Sequence, residues 1–217
     1  MNDRIIKDQI DYYDQRASEY DEHHVGGHYP QNEDFAELKE ALARFRPTGK
    51  VLELACGTGE WTVRLAPLAD QVTALDSSRR MIARAQAKVS RPHVIFKVAD
   101  LFAWEPDQAY DVVFFSFWLS HVPSSRFEDF WALVDRALGK QGRVFFIDEG
   151  PHEEYEEDYV GDEIVHRTLL DGTVHRAVKK FWEPAELEVK LRSLGWDMRI
   201  TRTMRPRFFW GEGKRAS

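Results

Sequence analysis

Residues 51–62 have the sequence VLELACGTGEWT, and this stretch decides the predicted fold. Its first four residues favour a β-strand, Gly57 and Gly59 interrupt the strand with a turn, and apolar residues return at helical spacing between Trp61 and Leu68. Because glycine has no Cβ, the backbone of such a turn can approach a ligand closely. The following helix directs its free N–H groups at the same place. The pattern predicts a strand–turn–helix unit that binds a nucleotide-like ligand with an anionic or polar tail.

Two kinds of nucleotide site use a glycine-rich turn of this type. A dinucleotide site has the pattern G-x-G-x-x-G, whereas this chain has Thr62 at the position of the third glycine. The stretch instead resembles the glycine loop of the class I S-adenosylmethionine-dependent methyltransferases, (Asp/Glu)-x-(Gly/Ala)-x-Gly-x-Gly. Four residues match that loop: Glu53, Ala55, Gly57 and Gly59. The resemblance implies S-adenosylmethionine as the cofactor, and an NAD-dependent oxidoreductase stays open as the alternative.

The length of 217 residues predicts one domain with a sizeable core, since 43% of the residues are hydrophobic and 13% are aromatic. We expect four parts within this domain. They are an N-terminal helical cap (1–46), a cofactor-binding core (47–150), a lid with a hairpin (151–182), and a C-terminal helix with an antiparallel strand pair (183–217).

Charge and cysteine content narrow the partners and the compartment. A net charge of −7 argues against a nucleic-acid partner, because binding to phosphates needs a basic face. The single cysteine excludes an intrachain disulfide and suits a reducing cytoplasm, where we expect the protein. The N-terminus has no apolar signal core, and no apolar run approaches the roughly 20 residues of a membrane span, so no membrane partner is expected. We expect a monomer or a homodimer.

Short apolar segments alternate with helical patterns along the next hundred residues. Strands are predicted at 71–75, 93–99, 110–117 and 143–147, and the almost unbroken apolar run at 110–117 is typical of a strand buried on both faces. This alternation with short connections predicts a parallel α/β sheet, in which ligands bind beyond the carboxyl ends of the strands.

The C-terminal third departs from this repeat. Asp171-Gly172 lies between two β-rich runs, 164–170 and 173–178, and predicts a hairpin. The methyltransferase resemblance implies that the sheet ends with an antiparallel pair, which we place at 196–203 and 207–210. The predicted fold is therefore α/β: a Rossmann-like seven-stranded, mostly parallel sheet with helices on both faces, an N-terminal helical cap and a β-hairpin insertion.

Acidic residues follow two neighbouring predicted strands. Asp76 lies 17 residues beyond Gly59, and its carboxylate can accept both ribose hydroxyls of a nucleoside. Asp100 follows the third strand; the resemblance implies a contact with the adenine amino group, and the alternative is a turn cap. The resemblance adds further contacts. The predicted cofactor-binding residues are Tyr12, Tyr20, Glu53, Ala55, Gly57, Gly59, Trp61, Asp76, Ser77, Met81, Asp100, Leu101 and Ser116.

The N-terminal segment carries a second resemblance. Residues 13–21 read YDQRASEYD and are similar to a Tyr-Asp-x-x-Ala-x-x-Tyr-Asp stretch found ahead of the core in many small-molecule methyltransferases. The resemblance implies a helical cap whose tyrosines close over the cofactor, and the alternative is a surface helix with packed tyrosines. His23, His24 and His28 follow, but no cysteine or acid stands at a recognisable metal spacing, so no metal site is predicted.

Methyl transfer from a sulfonium is a direct displacement, so the protein needs mainly to align donor and acceptor and to exclude water. His121 is the candidate general base for a hydroxyl acceptor, and the alternative is a structural histidine at a helix start. We expect transfer to an oxygen or nitrogen of a small, aromatic molecule; a non-catalytic S-adenosylmethionine-binding module is the other alternative. Five residues could line the acceptor pocket or serve packing only: Trp118, Tyr29, His152, Tyr155 and Phe209.

Overall fold

The protein is represented by a computed structural model that describes residues 3–25, 33–151 and 157–216. The helices are α1 (Asp3–Val25), α2 (Glu33–Phe45), α3 (Thr62–Leu65), α4 (Arg79–Lys88), α5 (Phe127–Ala137) and α6 (Pro184–Ser193). The strands are β1 (Lys50–Leu54), β2 (Gln71–Asp76), β3 (Val94–Val98), β4 (Tyr110–Ser116), β5 (Leu138–Glu149), β6 (Ile164–Thr168), β7 (Val174–Val178), β8 (Trp196–Arg202) and β9 (Phe208–Arg215). Two 3₁₀ turns, Leu119–His121 and Ser124–Arg126, connect β4 to α5.

Seven strands form one sheet in the order β3-β2-β1-β4-β5-β9-β8. The first five strands are parallel, and β9 runs antiparallel to both β5 and β8. The predicted Rossmann-like sheet with a final antiparallel pair is confirmed. Because β1 lies between β2 and β4, the chain reverses its direction of winding at β1, and the carboxyl ends of these three strands open a crevice there.

Side chains of β4 and β5 alternate between two apolar layers on opposite faces of the sheet. The rings of Phe114 and Phe145 stack at 6.2 Å on the face covered by α2, α3 and α4. Phe115 and Phe146 stack at 5.1 Å on the other face, which α5 and α6 cover. Burial on both faces explains why the sequence of β4 is an almost continuous apolar run.

The hairpin predicted around Asp171-Gly172 is present, and it forms a sheet of its own. Strands β6 and β7 pair antiparallel from Ile164 opposite Val178 to Thr168 opposite Val174. Gly172 has φ +85°, a conformation that suits the turn between the two strands. None of the described helices is both long and apolar enough to cross a membrane.

Several element boundaries differ from the prediction. Strand β5 begins at Leu138 rather than at residue 143, and the other strand ends differ by at most two residues, apart from that of β9. The helix after the glycine loop is a single turn that ends at Leu65, whereas the apolar spacing predicted a helix reaching Leu68. Pro67 has no N–H to continue the helical bonds, and Leu68 is 37% exposed. Strand β9 extends to Arg215 rather than ending at 210, and its two glycines explain why the sequence signal for a strand was weak there.

Those two glycines are required by close packing within the sheet. A Cβ on Gly211 would lie 2.3 Å from Phe146 Cε1, and a Cβ on Gly213 would lie 2.1 Å from the carbonyl oxygen of Asp197. Because Gly211 and Gly213 have no side chains, β9 can pack closely against Phe146 of β5 and the backbone of β8 at Asp197.

We expect Gly213→Ala to lower the free energy of unfolding by about 1–3 kcal/mol, because the added methyl group meets backbone that cannot move aside. Gly161→Ala is the control, since a Cβ there has nothing within 4 Å and should change stability by less than about 0.5 kcal/mol. Urea denaturation measures both values, and equal effects for the two variants would refute this account of β9.

Candidate active site

A cleft opens at the carboxyl ends of β1, β2 and β4, with a volume of about 690 Å³. This size is in the range of roughly 300–1,000 Å³ that is typical of small-molecule sites. Most of the predicted site residues line this cleft: Tyr12, Tyr20, Ala55, Gly57, Trp61, Asp76, Ser77, Met81, Asp100, Leu101, Ser116 and His121. The other two predicted cofactor-binding residues, Glu53 and Gly59, lie outside its lining.

The glycine loop leaves β1 through backbone in the left-handed region, with φ values of +54° at Ala55, +54° at Gly57 and +81° at Gly59. A Cβ on Gly57 would have nothing within 4 Å, so Gly57 presents open space to the cleft. A Cβ on Gly59 would lie 3.0 Å from Ala85 Cβ on α4. Gly57 thus leaves room for a ligand, and Gly59 leaves room for a helix.

Asp76 ends β2 and is held by two backbone donors. The N–H of Gly57 donates to Oδ2 at 2.9 Å, and the N–H of Ser78 donates to Oδ1 at 2.8 Å. Burial raises the pKa of Asp76 to about 6, although these two hydrogen bonds oppose the rise. The carboxylate therefore connects the glycine loop to the end of the neighbouring strand and still lines the cleft.

Glu53 lies beneath the glycine loop instead of in the cleft. Its side chain is 1% exposed, and Thr62 Oγ1 donates to Oε2 at 2.6 Å. Burial raises the pKa of Glu53 to about 8, so the carboxyl group is largely protonated at neutral pH. The geometry indicates that Glu53 supports the loop from below, through α3, without facing a ligand.

The third strand and α4 provide the apolar edge of the cleft. Leu101 is 5% exposed and Met81 is 2% exposed, and both side chains line the cavity. Asp100 also lines the cavity. Its Oδ1 accepts the N–H of Phe102 at 3.0 Å, which is the turn cap given as the alternative in the sequence analysis. Leu101 and Met81 offer apolar surface next to the carboxylate of Asp100, which suits a purine ring.

Helix α1 covers the cleft with an aromatic face. Tyr12, Arg16 and Tyr20 are spaced four residues apart, so they lie on one side of the helix. The Arg16 guanidinium lies 5.6 Å from the ring centre of Tyr12 and 5.2 Å from that of Tyr20, within the range of cation–π contacts. Helix α1 therefore lines the cleft with an arginine between the two predicted tyrosines.

Both ring nitrogens of His121 have partners. Nδ1 lies 2.6 Å from the carbonyl oxygen of Val178, which can only accept, so Nδ1 carries the proton. Nε2 lies 2.9 Å from the hydroxyl of Tyr13. Burial, reinforced by the charge of Lys179, lowers the pKa of His121 to about 3. The imidazole is therefore neutral, and its Nε2 accepts a hydrogen bond from the hydroxyl of Tyr13.

Two largely buried ion pairs lie near His121. Lys179 is 5% exposed, and its Nζ donates to Glu149 Oε2 at 2.9 Å. Arg167 forms a bidentate ion pair with Glu157, in which Nη2 lies 2.7 Å from Oε1. All four side chains line the cleft.

The remaining predicted lining residues are placed as follows. Trp118 lines the cleft, with its ring 5.9 Å from that of Phe102. Phe209 is fully buried and packs edge-on against Phe146 at 6.2 Å, so the packing alternative describes this residue. Tyr29, His152 and Tyr155 lie outside the described residues. Within the described part of the chain, no three metal-ligating side chains form a group that could hold a metal ion.

The fold and the cleft define a class of protein. An α/β sheet carries, at its switch point, an unobstructed glycine turn, a carboxylate on the next strand and an apolar edge, which together suit an adenosine-containing cofactor. S-adenosylmethionine fits these residues: the turn admits close approach at Gly57, Asp76 offers acceptors for hydroxyls, and Leu101 and Met81 offer apolar contact.

The chain belongs to the class I S-adenosylmethionine-dependent methyltransferases. A methyltransferase-domain family model matches residues 51–142. The structure of a DhpI–SAH complex, in which SAH is S-adenosylhomocysteine, superposes with a TM-score of 0.86 at 42% identity and covers 100% of this chain and 99% of that one. The ubiquinone biosynthesis O-methyltransferase of Xanthomonas axonopodis pv. citri (strain 306) is 32% identical, over 73% of this chain and 67% of that protein.

A third relative matches only in the core. The trans-aconitate 2-methyltransferase of Escherichia coli O1:K1 is 37% identical over 34% of this chain and 29% of its own length. For two of the curated relatives, the segment that aligns with this chain covers less than a third of the relative's own length. The family decides between the two cofactors weighed from the sequence in favour of S-adenosylmethionine, and the protein is an enzyme that uses it.

Three charged residues of the cleft lining were not singled out from the sequence: Arg16, Arg167 and Lys179. Arg16 could have been found, since it stands at helical spacing between Tyr12 and Tyr20. Arg167 and Lys179 carry no local signal, because only the folded hairpin brings β6 and the residue after β7 to the cleft.

We expect the affinity for SAH to depend on the charge of Asp76. The affinity should be full at pH 7 and above, and should fall by up to about tenfold for each pH unit below about 6, because protonation removes an acceptor for the ribose hydroxyls. Calorimetric titration of wild type and Asp76→Asn across this range tests the point. The variant should bind weakly with no break near pH 6, and a wild-type affinity independent of pH would contradict the assignment.

Gly57→Ala should fold and yet lose affinity for SAH by about tenfold or more, because the new methyl group enters the space open to the ligand. Ala55 already adopts the same φ, so the loop tolerates an alanine. Gly172→Ala is the matched control, since it has φ +85° and no neighbour within 4 Å but lies on the hairpin turn. Thermal melting and calorimetry should show similar small losses of stability and a loss of binding in Gly57→Ala only.

Proposed function

We propose that this enzyme transfers the methyl group of S-adenosylmethionine to an oxygen of a small anionic acceptor, and that this oxygen already carries negative charge when it reacts. The observation that carries the proposal is the combination of Arg16, Arg167 and Lys179 in the cleft with a neutral His121. The sequence allowed an oxygen or a nitrogen and favoured an aromatic acceptor. The cations favour an oxyanion.

Lys179 is a buried cation that keeps its charge. Burial opposes the charged form, but the nearby carboxylates of Glu149 and Asp148 outweigh burial and raise the pKa of Lys179. The ammonium donates to Glu149 at 2.9 Å and lies 3.4 Å from Ser120 Oγ. An ammonium has three protons, so Lys179 can also donate to an anion in the cleft.

The three cations have different partners. Lys179 and Arg167 pair with Glu149 and Glu157, and Asp148 is a second carboxylate near Lys179. Arg16 lies against the rings of Tyr12 and Tyr20. The cofactor adds one more positive charge, since its sulfonium and ammonium outnumber its one carboxylate. An anionic acceptor is therefore attracted to a cleft that holds Arg16 and the sulfonium.

His121 supports the same conclusion. A general base is useful only when the acceptor oxygen must lose a proton, and His121 has a pKa of about 3 with both ring nitrogens bonded. An oxyanion needs no base. We therefore propose that His121 orients the hydroxyl of Tyr13, in place of the general-base role considered from the sequence.

When bound, the cofactor supplies a methyl group that is activated by the positive sulfur. The acceptor oxygen forms the new bond to the methyl carbon while the carbon–sulfur bond breaks, and its electron pair returns to sulfur. On this proposal, Arg16, Arg167 and Lys179 hold the acceptor, Asp76 and the glycine loop hold the nucleoside, and α1 excludes water from both.

The names of two relatives are compatible with this acceptor class. The Xanthomonas relative is named an O-methyltransferase, and the E. coli relative is named for trans-aconitate, an anion. A phenol is the second candidate, favoured by the rings of Trp118 and Phe102 on the cleft wall. The same rings can contact the carbon skeleton of an anion.

Pairs of acceptors that differ in charge test the proposal. Each carboxylate is matched with its primary amide, and phosphonates, phenols and amines complete the set; transfer of labelled methyl to product is measured. We expect methyl esters from anionic members and no product from amides. Turnover of a phenol or amine without turnover of any anion would contradict the proposal.

Lys179→Met should then raise the KM of the active anion by about tenfold or more while changing the Kd of SAH by less than about twofold, because the charge it removes faces the acceptor. The neighbouring Lys180→Met is the control, since Lys180 pairs with Glu163 at 3.4 Å and is not part of the cleft lining. It should leave the KM unchanged, and thermal melting checks that both variants fold.

A further inference from the structure

Helix α1 contacts the start of α4 through a residue with no assigned role. Asp14 lies one position after Tyr13, and its Oδ1 accepts the hydroxyl of Ser78 at 2.6 Å. Oδ1 also lies 3.3 Å from the N–H of Arg80, and Oδ2 lies 3.4 Å from Arg80 Nε. Asp14 therefore joins the cap helix to the start of α4.

Ser78 is hydrogen-bonded to both Asp14 and Asp76. Its side chain is the N-cap of α4, where Oγ accepts the N–H of Met81 at 3.0 Å. A carboxylate only accepts, so the same hydroxyl must donate to Asp14. Ser78 is 1% exposed, and its own N–H donates to Asp76 Oδ1 at 2.8 Å. With both hydrogen-bonding directions of its hydroxyl occupied, Ser78 is held in a single orientation.

We propose that Asp14 is a positioning residue for cofactor binding: through the Ser78 hydroxyl it fixes the carboxylate of Asp76, so that the ribose site is complete only when α1 is docked on α4. This inference rests on the cofactor half of the proposed function, in which Asp76 accepts the ribose hydroxyls. It adds that the cap helix sets the geometry of the ribose site in addition to covering the cleft.

The same helix supplies a matched control. Asp8 is also an aspartate of α1 that binds an arginine, with Oδ2 2.6 Å from Arg176 Nη2 on β7. The side chains of Asp8 and Asp14 are 31% and 33% exposed. Asp8→Ala removes the contact of α1 with Arg176 and leaves Ser78 unchanged. Asp14→Ala removes the contact of α1 with Ser78, which is itself bonded to Asp76.

The test compares adenosine with 3′-deoxyadenosine, each measured by calorimetric displacement of SAH. In the wild type we expect adenosine to bind about tenfold more tightly, because the 3′-hydroxyl has an acceptor at Asp76. Asp14→Ala should reduce this preference to about threefold or less, and Asp8→Ala should preserve it. Asp14→Asn should restore most of the preference, since the amide oxygen can still accept the Ser78 hydroxyl.

Several results would overturn the proposal. They are an unchanged preference in Asp14→Ala, an equal loss in Asp8→Ala, or no recovery in Asp14→Asn. Ser78→Ala provides a second route should Asp14→Ala fail to fold: it should lose the preference as well, and a preserved preference refutes the chain of contacts. Asp76→Ala separates the ribose assignment from the role of Asp14. If Asp76→Ala keeps the preference for adenosine, the ribose assignment fails. If Asp76→Ala loses the preference while Asp14→Ala keeps it, only the role of Asp14 fails.

Discussion

The cleft depends on one buried carboxylate with two backbone donors. Asp76 receives the N–H of Gly57 from the turn after β1 and the N–H of Ser78 from the start of α4. These bonds hold the glycine loop, the end of β2 and the next helix at fixed separations, and they offset part of the cost of burying a charge.

The N-terminal helix joins the two halves of the cleft. On one side Asp14 binds Ser78; on the other, Gln9 donates to the carbonyl of His121 at 3.2 Å and accepts the N–H of Val178 at 2.9 Å. The cations proposed to hold the acceptor come partly from α1 and partly from the hairpin that α1 packs against. The cofactor site and the proposed acceptor site therefore share one wall, and a shift of α1 changes both.

The sheet was predictable because its signals are local: the apolar run of β4, the glycine turn and the Asp171-Gly172 hairpin each fix an element on their own. Asp76 was predictable because the end of a strand fixes its place. Glu53 was misplaced because a sequence motif does not say which face of a loop a side chain takes, and here it bonds Thr62 from below. The partners of His121 come from positions 13 and 178, so no local pattern could reveal that its two nitrogens are occupied.

A crystal structure of the enzyme with SAH would show whether Asp76 holds the ribose. We expect both ribose hydroxyls on the carboxylate of Asp76, the adenine between Leu101 and Met81, and a sulfur atom that faces the space bordered by Tyr13, Arg16 and Lys179. A nucleoside bound elsewhere, or a sulfur atom separated from those cations by the protein's own side chains, would contradict this expectation.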